Sequence, residues 1–389
     1  MARPIESMPQ WQLYAYAGLF LVLSVLLSNA IAWVKQFRQE ARILAKTTSL
    51  TQAAAAPSGK IIPVTILTGF LGSGKTTLLN SILSSPDHGY KIMVLENELG
   101  AVSIDHELIT TQHPRDGVVV LQNGCMCCSA ASATSNELER ILDHLLQVSA
   151  ASTYDFDYLI VETTGIADPG PILKTFLELR ASRFRLDGVV TLVDTASLLK
   201  TLTSAWPVEM HSQLAYADLI ALNKMDLVDA DAHAVDGLTQ RIRDINPDAR
   251  LVQCERSQLP VQDLLNIGTF DARRFDFTHV VSHHTPNLDT VLLETDAPLD
   301  LGRFSHWLND VVDGHWKRGI FRLKGLVRAD DDRLWVLQCV LDTYTLAPAA
   351  GESNSAKTTK LVVIGIHLDK AALDASFAAV AMTPKDKES

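Results

Sequence analysis

Four short stretches of this chain place reactive residue types in an order that can do chemistry: GFLGSGKTT at 69–77, YLIVETTG at 158–165, NKMD at 223–226 and NGCMCC at 123–128. The first satisfies G-x-x-x-x-G-K-[ST], a loop whose successive backbone N–H groups turn inward toward phosphate oxygens. Gly69, Gly72 and Gly74 let the backbone curl, and Ser73 and Thr77 complete the phosphate-binding set. Lys75 is the cation for the β and γ phosphates, and the Thr76 hydroxyl suits Mg²⁺. A plain glycine-rich turn is the alternative, and a complete motif directly after an apolar strand outweighs it.

Glu162 ends an apolar strand, where a second Mg²⁺-directed carboxylate belongs, acting through water. Lys75, Thr76 and Glu162 form the expected catalytic set, and Gly165 would let a backbone N–H approach the γ-phosphate. In NKMD, the Asp226 carboxylate can accept two hydrogen bonds from the N1–H and 2-amino group of guanine, donors that adenine lacks. Together with Asn223 and Lys224 it points to GTP. Upstream, ENELGAVSIDHEL places Glu98 and Asp105 after the second strand, where a segment sensing the γ-phosphate and metal would sit.

The chain has five cysteines, and three of them, Cys125, Cys127 and Cys128, share one short loop. Three thiolates suit a soft ion such as Zn²⁺ or Cu(I), and zinc is the expected one. A tetrahedral site wants a fourth ligand, which Glu98, a histidine or water can supply. A site one ligand short is suited to giving its metal away. A buried apolar cysteine cluster, a redox-active vicinal pair and palmitoylation stay open beside it.

The elements that must position these residues follow from apolar periodicity. Runs at 61–67, 91–95, 118–122, 158–161, 188–193 and 218–222 read as strands and alternate with helix-like stretches at 75–84, 135–148, 171–181 and 231–245. Such βα alternation with continuously apolar strands predicts a mostly parallel sheet covered on both faces. The chemistry-bearing loops then gather at the carboxyl ends of the strands. After a polar link at 275–287 come strand-like 290–294, a helix at 301–312, strands at 319–327 and 334–341, a polar loop at 347–358, a strand at 360–366 and a closing helix at 369–381. This is the pattern of a small α+β domain.

Composition limits the classes. Net charge is −11, which offers no bulk attraction for nucleic acid, so phosphate must be held by a local device. From Trp11 to Val34 the chain runs 24 residues without a charge, with aromatic residues at both ends and Lys35, Arg38, Arg42 and Lys46 following. That predicts one N-terminal transmembrane helix, with the bulk of the protein on the cytoplasmic or organelle-stromal side of a membrane. A cleaved signal peptide is the competitor.

GFLGSGKTT, NELG, NGCMCC, ETTGIADP and NKMD, in that order, resemble the CobW-like GTPases, relatives of the urease and hydrogenase maturation GTPases. GRFSHWL, IFRLKGLV and KLVVIGIHLD resemble that family's C-terminal domain. The resemblance covers about residues 61 to 382. It implies a zinc- or cobalt-handling metallochaperone whose Cys-x-Cys-Cys motif binds the metal and whose GTP turnover drives transfer to a client metalloprotein. Two departures stand out: Ala101 where the family commonly has a second acid, and Val380-Ala381 where a cysteine often closes the last helix. The expected layout is an anchor at 1–35, a linker at 36–60, a P-loop GTPase domain at 61–270, a linker at 271–287, a CobW-type domain at 288–382 and a tail at 383–389. No catalytic glutamine or arginine finger is evident, so unaided hydrolysis is expected to be slow, with a partner or a homodimer completing the site. An ATP-using P-loop kinase or transporter subunit, and a membrane-tethered interaction module with an inactive nucleotide site, are the alternative classes.

Overall fold

The computed structural model describes residues 60–86, 89–97, 117–121, 138, 140–143, 145–147, 156–179, 183–228, 232–272, 282–284, 288–315, 319–349 and 358–381. The first part of the chain runs β1 (Ile62–Gly69), α1 (Lys75–Ser84), β2 (Ile92–Asn97), β3 (Gly117–Leu121), β4 (Tyr158–Glu162), α2 (Gly170–Glu178), β5 (Phe184–Asp194), α3 (Thr195–Lys200), α4 (Val208–Ala215), β6 (Leu219–Asn223), α5 (Ala232–Ile245), β7 (Arg250–Gln253) and α6 (Val261–Leu264). Its seven strands form one parallel sheet in the order β3-β2-β4-β1-β5-β6-β7. Strand periodicity splits the core between the two faces. Ile62, Val64, Ile66, Leu159 and Val161 pack with α2 through Leu173 and Phe176. Leu67, Val94, Ile160 and Leu192 pack with α1 through Leu78, Leu79 and Ile82. Helix α1 ends where Ser85 turns extended (ψ 130°), the conformation that the following Pro86 imposes on its predecessor.

The remaining elements are β8 (His283–His284), β9 (Asp289–Thr295), α7 (Leu301–Asn309), β10 (Ile320–Arg328), β11 (Leu334–Val340), β12 (Thr343–Pro348), β13 (Thr359–Gly365) and α8 (Lys370–Ala378). The strands make a six-stranded antiparallel sheet, β12-β11-β10-β13-β9-β8. Asp300 and Asp369 cap the two helices by accepting from Arg303 N at 2.7 Å and Ala372 N at 3.0 Å. One apolar cluster joins the sheets: Leu214, Ala217, Ile220 and Leu222 of the parallel part pack with Leu288, Val362 and Ile364.

The expected membrane anchor is corrected. Among the described residues no helix is long and apolar enough to cross a membrane. The longest described helix, α5, has 14 residues. At 1.5 Å per residue it spans about 21 Å against a hydrocarbon core of about 30 Å. Residues 11–34, to which the span was assigned, lie outside the described residues. The transmembrane helix, the membrane partner and the single-pass membrane localisation are therefore not carried forward. What stands is a parallel P-loop α/β domain followed by an antiparallel-sheet domain.

Candidate functional site

The loop after β1 and the start of α1 form a tight cradle. Gly74 adopts φ 106°, and a Cβ there would lie 2.5 Å from Ser257 Oγ and 2.6 Å from Asn223 Nδ2. No other residue fits that position without displacing both partners. Gly69 and Gly72 also have positive φ. Ser73 is fully buried, while Thr76 and Thr77 are exposed on the first turn of α1. The Lys75 ammonium donates to the carbonyls of Gly69 at 2.7 Å and Phe70 at 3.2 Å, so the loop wraps its own cation. Burial lowers the Lys75 pKa, and the nearby Glu162 charge pulls it back upward. A desolvated cation ringed by carbonyl oxygens is primed to exchange them for phosphate oxygens.

Glu162, at the end of β4 beside β1, accepts from Thr76 Oγ1 at 3.0 Å. Two hard oxygens thus converge beside the lysine, a donor set that fits Mg²⁺. Beyond Glu162 the chain is tied to β1: Thr163 N donates to Leu67 O at 2.9 Å and Thr163 Oγ1 to Thr68 Oγ1 at 2.9 Å. Gly165 then passes against the phosphate loop, where a Cβ would lie 2.7 Å from Leu71 N. Gln213 on α4 holds this segment from the other side, donating Nε2 to the carbonyls of Gly165 and Ala167.

The NKMD stretch follows β6, two strands from β1. Asn223 is 1% exposed and its amide is fully engaged. Nδ2 donates to Ser73 O and Ser257 Oγ, each at 2.8 Å, and Oδ1 accepts from Ser257 N at 2.8 Å and from the Cys254 thiol at 3.4 Å. Asn223 therefore stitches the β6 and β7 loops to the phosphate loop. Ser257 Oγ adds a bond to Gly74 O at 3.0 Å. Lys224, at φ 62°, pairs its ammonium with Asp194 at 2.6 Å. Attraction to Lys224 and the hydrogen bond from Ser197 N outweigh burial and lower the Asp194 pKa. Asp226 keeps a partly open carboxylate, 3.7 Å from the exposed Arg256 guanidinium.

Ser257, Asp194 and Gln213 were not among the sequence expectations. Ser257 follows β7, whose residues RLVQ are exposed or half-buried, so no apolar run marks the strand it follows. Asp194 carries the residue pattern of a helix cap, which it also is, accepting from Ser197 N at 3.0 Å. Gln213 sits in a helix with no motif at all.

Glu98, Asp105, Cys125, Cys127 and Cys128 lie outside the described residues. The strands that lead to them are described: β2 pairs with both β4 and β3, with Glu96 opposite Glu162 and Asn97 opposite Leu121. The chain thus leaves β2 and β3 on the same edge of the sheet as Glu162. Among the described residues no group of three His, Cys, Asp or Glu side chains could hold a metal.

Residues 63–253 match the CobW/HypB/UreG nucleotide-binding domain, and residues 288–381 match the cobalamin synthesis protein cobW C-terminal domain. The zinc chaperone YjiA of Escherichia coli is 34% identical over 344 residues, covering 82% of this chain and 98% of that protein. The zinc-regulated GTPase metalloprotein activator 1 of Saccharomyces cerevisiae is 31% identical over 368 residues, covering 81% and 82% of the two chains. The crystal structure of Zn(II)-bound YjiA GTPase superposes with a TM-score of 0.65 at 30% identity, over 83% of this chain and 100% of that one.

Proposed function

We propose that this chain, which belongs to the CobW/HypB/UreG family and is a GTPase of that family with a cobW C-terminal domain, carries a zinc ion on its Cys-x-Cys-Cys loop and hands it to a client metalloprotein in step with GTP turnover. It is a GTPase metallochaperone by its relatives, and the zinc is cargo. The observation that carries the reading is the near-full-length match to a zinc chaperone in a chain whose phosphate loop, Glu162 and NKMD stretch share one sheet edge.

In this reading GTP enters with its β and γ phosphates replacing the Gly69 and Phe70 carbonyls as partners of Lys75. The N–H groups of the 69–77 loop and the start of α1 supply further partial positive charge. Thr76 and Glu162 would hold Mg²⁺, which neutralises charge on the phosphates when bound. Asp226 takes the N1–H and 2-amino group of guanine, and Lys224, fixed by Asp194, lies beside it. Gly165 presents its N–H to the γ-phosphate. Water attacks the γ-phosphorus, the bond to the β–γ bridging oxygen breaks, and GDP and phosphate leave.

The thiol loop is connected by reach. In the sequence Cys125 comes four residues after Leu121, the end of β3, and Glu98 directly follows Asn97, the end of β2. The Glu98–Asp105 segment and the three thiols therefore leave neighbouring strands, and nucleotide at Glu162 and metal at the thiols bias one shared segment. Cobalt can occupy the same thiolates, and a second copy of the chain or the client supplies the group that accelerates hydrolysis.

The test is paired. Wild type hydrolyses GTP and Lys75→Ala does not. Protein purified anaerobically carries zinc, and the triple variant Cys125→Ser, Cys127→Ser, Cys128→Ser does not. Linkage requires that zinc also change GTP affinity. Equal GTP affinity with and without zinc, measured by calorimetry, removes the coupling, and unchanged zinc content in the triple variant removes the cargo site.

A further inference from the structure

Outside every motif, one side chain holds the segment on the γ-phosphate side of the site. Gln213 on α4 is 1% exposed, and its Nε2 donates to Gly165 O at 3.1 Å and Ala167 O at 3.0 Å. Two carbonyl acceptors require the nitrogen at that position, which fixes the orientation of the amide. The Gln213 backbone carbonyl accepts from Thr191 Oγ1 on β5 at 2.8 Å, so the clamp is anchored to the sheet beside β1. Across the segment, Leu71 of the phosphate loop closes on Gly165 so tightly that a Cβ would lie 2.7 Å from its nitrogen. Gly165 is thus gripped between the phosphate loop and α4.

Packing alone does not explain a glutamine here. Its Oε1 is buried and accepts no hydrogen bond from the described residues. A buried amide oxygen left without a donor is costly, and an apolar side chain of the same length would fill the space without that cost. The amide is accounted for by what its nitrogen holds.

We propose that Gln213 is a positioning residue for GTP hydrolysis: its amide nitrogen holds the Gly165–Ala167 carbonyls so that the Gly165 N–H is presented to the γ-phosphate. This rests on the reading that Gly165 meets that group. GDP has no γ-phosphate, so the clamp acts on GTP and on turnover but not on GDP binding.

The experiment compares Gln213→Glu and Gln213→Met with wild type and Lys75→Ala, measuring kcat and KM for GTP, GDP affinity by calorimetry, and the melting temperature of the GDP complex. The glutamate is nearly isosteric but sets an acceptor against two acceptors, and the methionine removes the donor without adding charge. Both variants should lose about tenfold or more in kcat, the scale expected for two lost backbone hydrogen bonds. GDP affinity should stay within about twofold of wild type, because the phosphate loop keeps its β-phosphate contacts. A kcat within about twofold of wild type in the methionine variant overturns the proposal. So does a fall in GDP affinity parallel to that in kcat, which is the behaviour of a merely structural residue. If instead the wild type shows no turnover that Lys75→Ala removes, the underlying assignment of the phosphate site is what fails.

Discussion

Acid should loosen the seam between the two sheets, and one carboxylate sets the pH at which it does. Asp218 lies between α4 and β6, 4% exposed at its side chain. Its Oδ1 meets the Arg322 guanidinium of β10, Lys324 Nζ at 3.1 Å and Thr269 Oγ1 at 2.9 Å, and its Oδ2 accepts from Val189 N at 2.9 Å. Lys324 also pairs with Asp248 at 2.9 Å. Burial alone would raise the Asp218 pKa, but the charges of Arg322 and Lys324, with the Thr269 bond, bring it down to about 2. A carboxylate whose folded pKa is depressed stabilises the fold fully above its unfolded pKa, near 3.9, and loses that contribution as pH falls through the folded value. From the ordinary value of 3.8 to about 2, the shift is worth about 2 kcal/mol, present above about pH 4 and gone near pH 2. Asp218→Asn leaves two buried cations without their shared anion and should cost about 3–5 kcal/mol at neutral pH. It should also flatten the acid slope relative to wild type by the contribution of this one group. Urea unfolding of both proteins at pH 7, 4 and 3 measures each quantity. The reasoning fails if the variant is within about 1 kcal/mol of wild type at pH 7, or if the two proteins lose stability in parallel between pH 4 and 3.

Two other outcomes follow from the site. Asn223→Ala removes bonds to Ser73 O, Ser257 N and Ser257 Oγ, together worth about 3 kcal/mol, and should weaken GTP and GDP alike by more than tenfold in calorimetry. A change under about threefold would mean that the stitch is dispensable. Burial pushes the Cys254 thiol up to about 11, so it carries little thiolate at pH 8. Mass spectrometry of native protein treated with iodoacetamide at that pH should find Cys254 unmodified, and rapid labelling would contradict the burial argument.

Fold and site were legible to different depths. The parallel sheet could be read because buried strands such as VTIL in β1 and LIAL in β6 are largely apolar, and the Gly69–Thr77 loop because its glycines and lysine have few other uses in that order. Helix α1 runs over 75–84 as expected, ended by Pro86. β12 was not read as a strand: residues 342–346 went unassigned and the polar loop was started at 347, since the small and hydroxyl-bearing residues of TYTLAP alternate in burial and its pairing to β11 is what makes it a strand. β7 was missed for the same reason, an edge strand that buries too little to show a pattern. The N-terminal apolar run pointed to a bilayer through its length, its lack of charge, its terminal aromatic residues and the basic residues that follow it. Asn223 was assigned to the ligand, and the structure adds that its amide bonds Ser73 and Ser257. A motif names residues in order along the chain, and the coordinates add which loops those residues tie together.

The connection from α4 to β6 is where these separate parts are tied together. Within eleven residues it carries Gln213, on the Gly165 side; the Tyr216 and Ala217 carbonyls, both accepting from Arg322 of the antiparallel sheet; Asp218, bonded to that same arginine; and Asn223, stitched to the phosphate loop. A second contact brackets the site: Lys174 of α2, the helix that follows the Gly165 segment, pairs with Asp342 in the turn between β11 and β12 at 2.5 Å. Both elements that flank Gly165 therefore end in polar contacts with the antiparallel sheet. Because those contacts are directional, a displacement of the 213–218 stretch would strain the Gln213 and Arg322 bonds together.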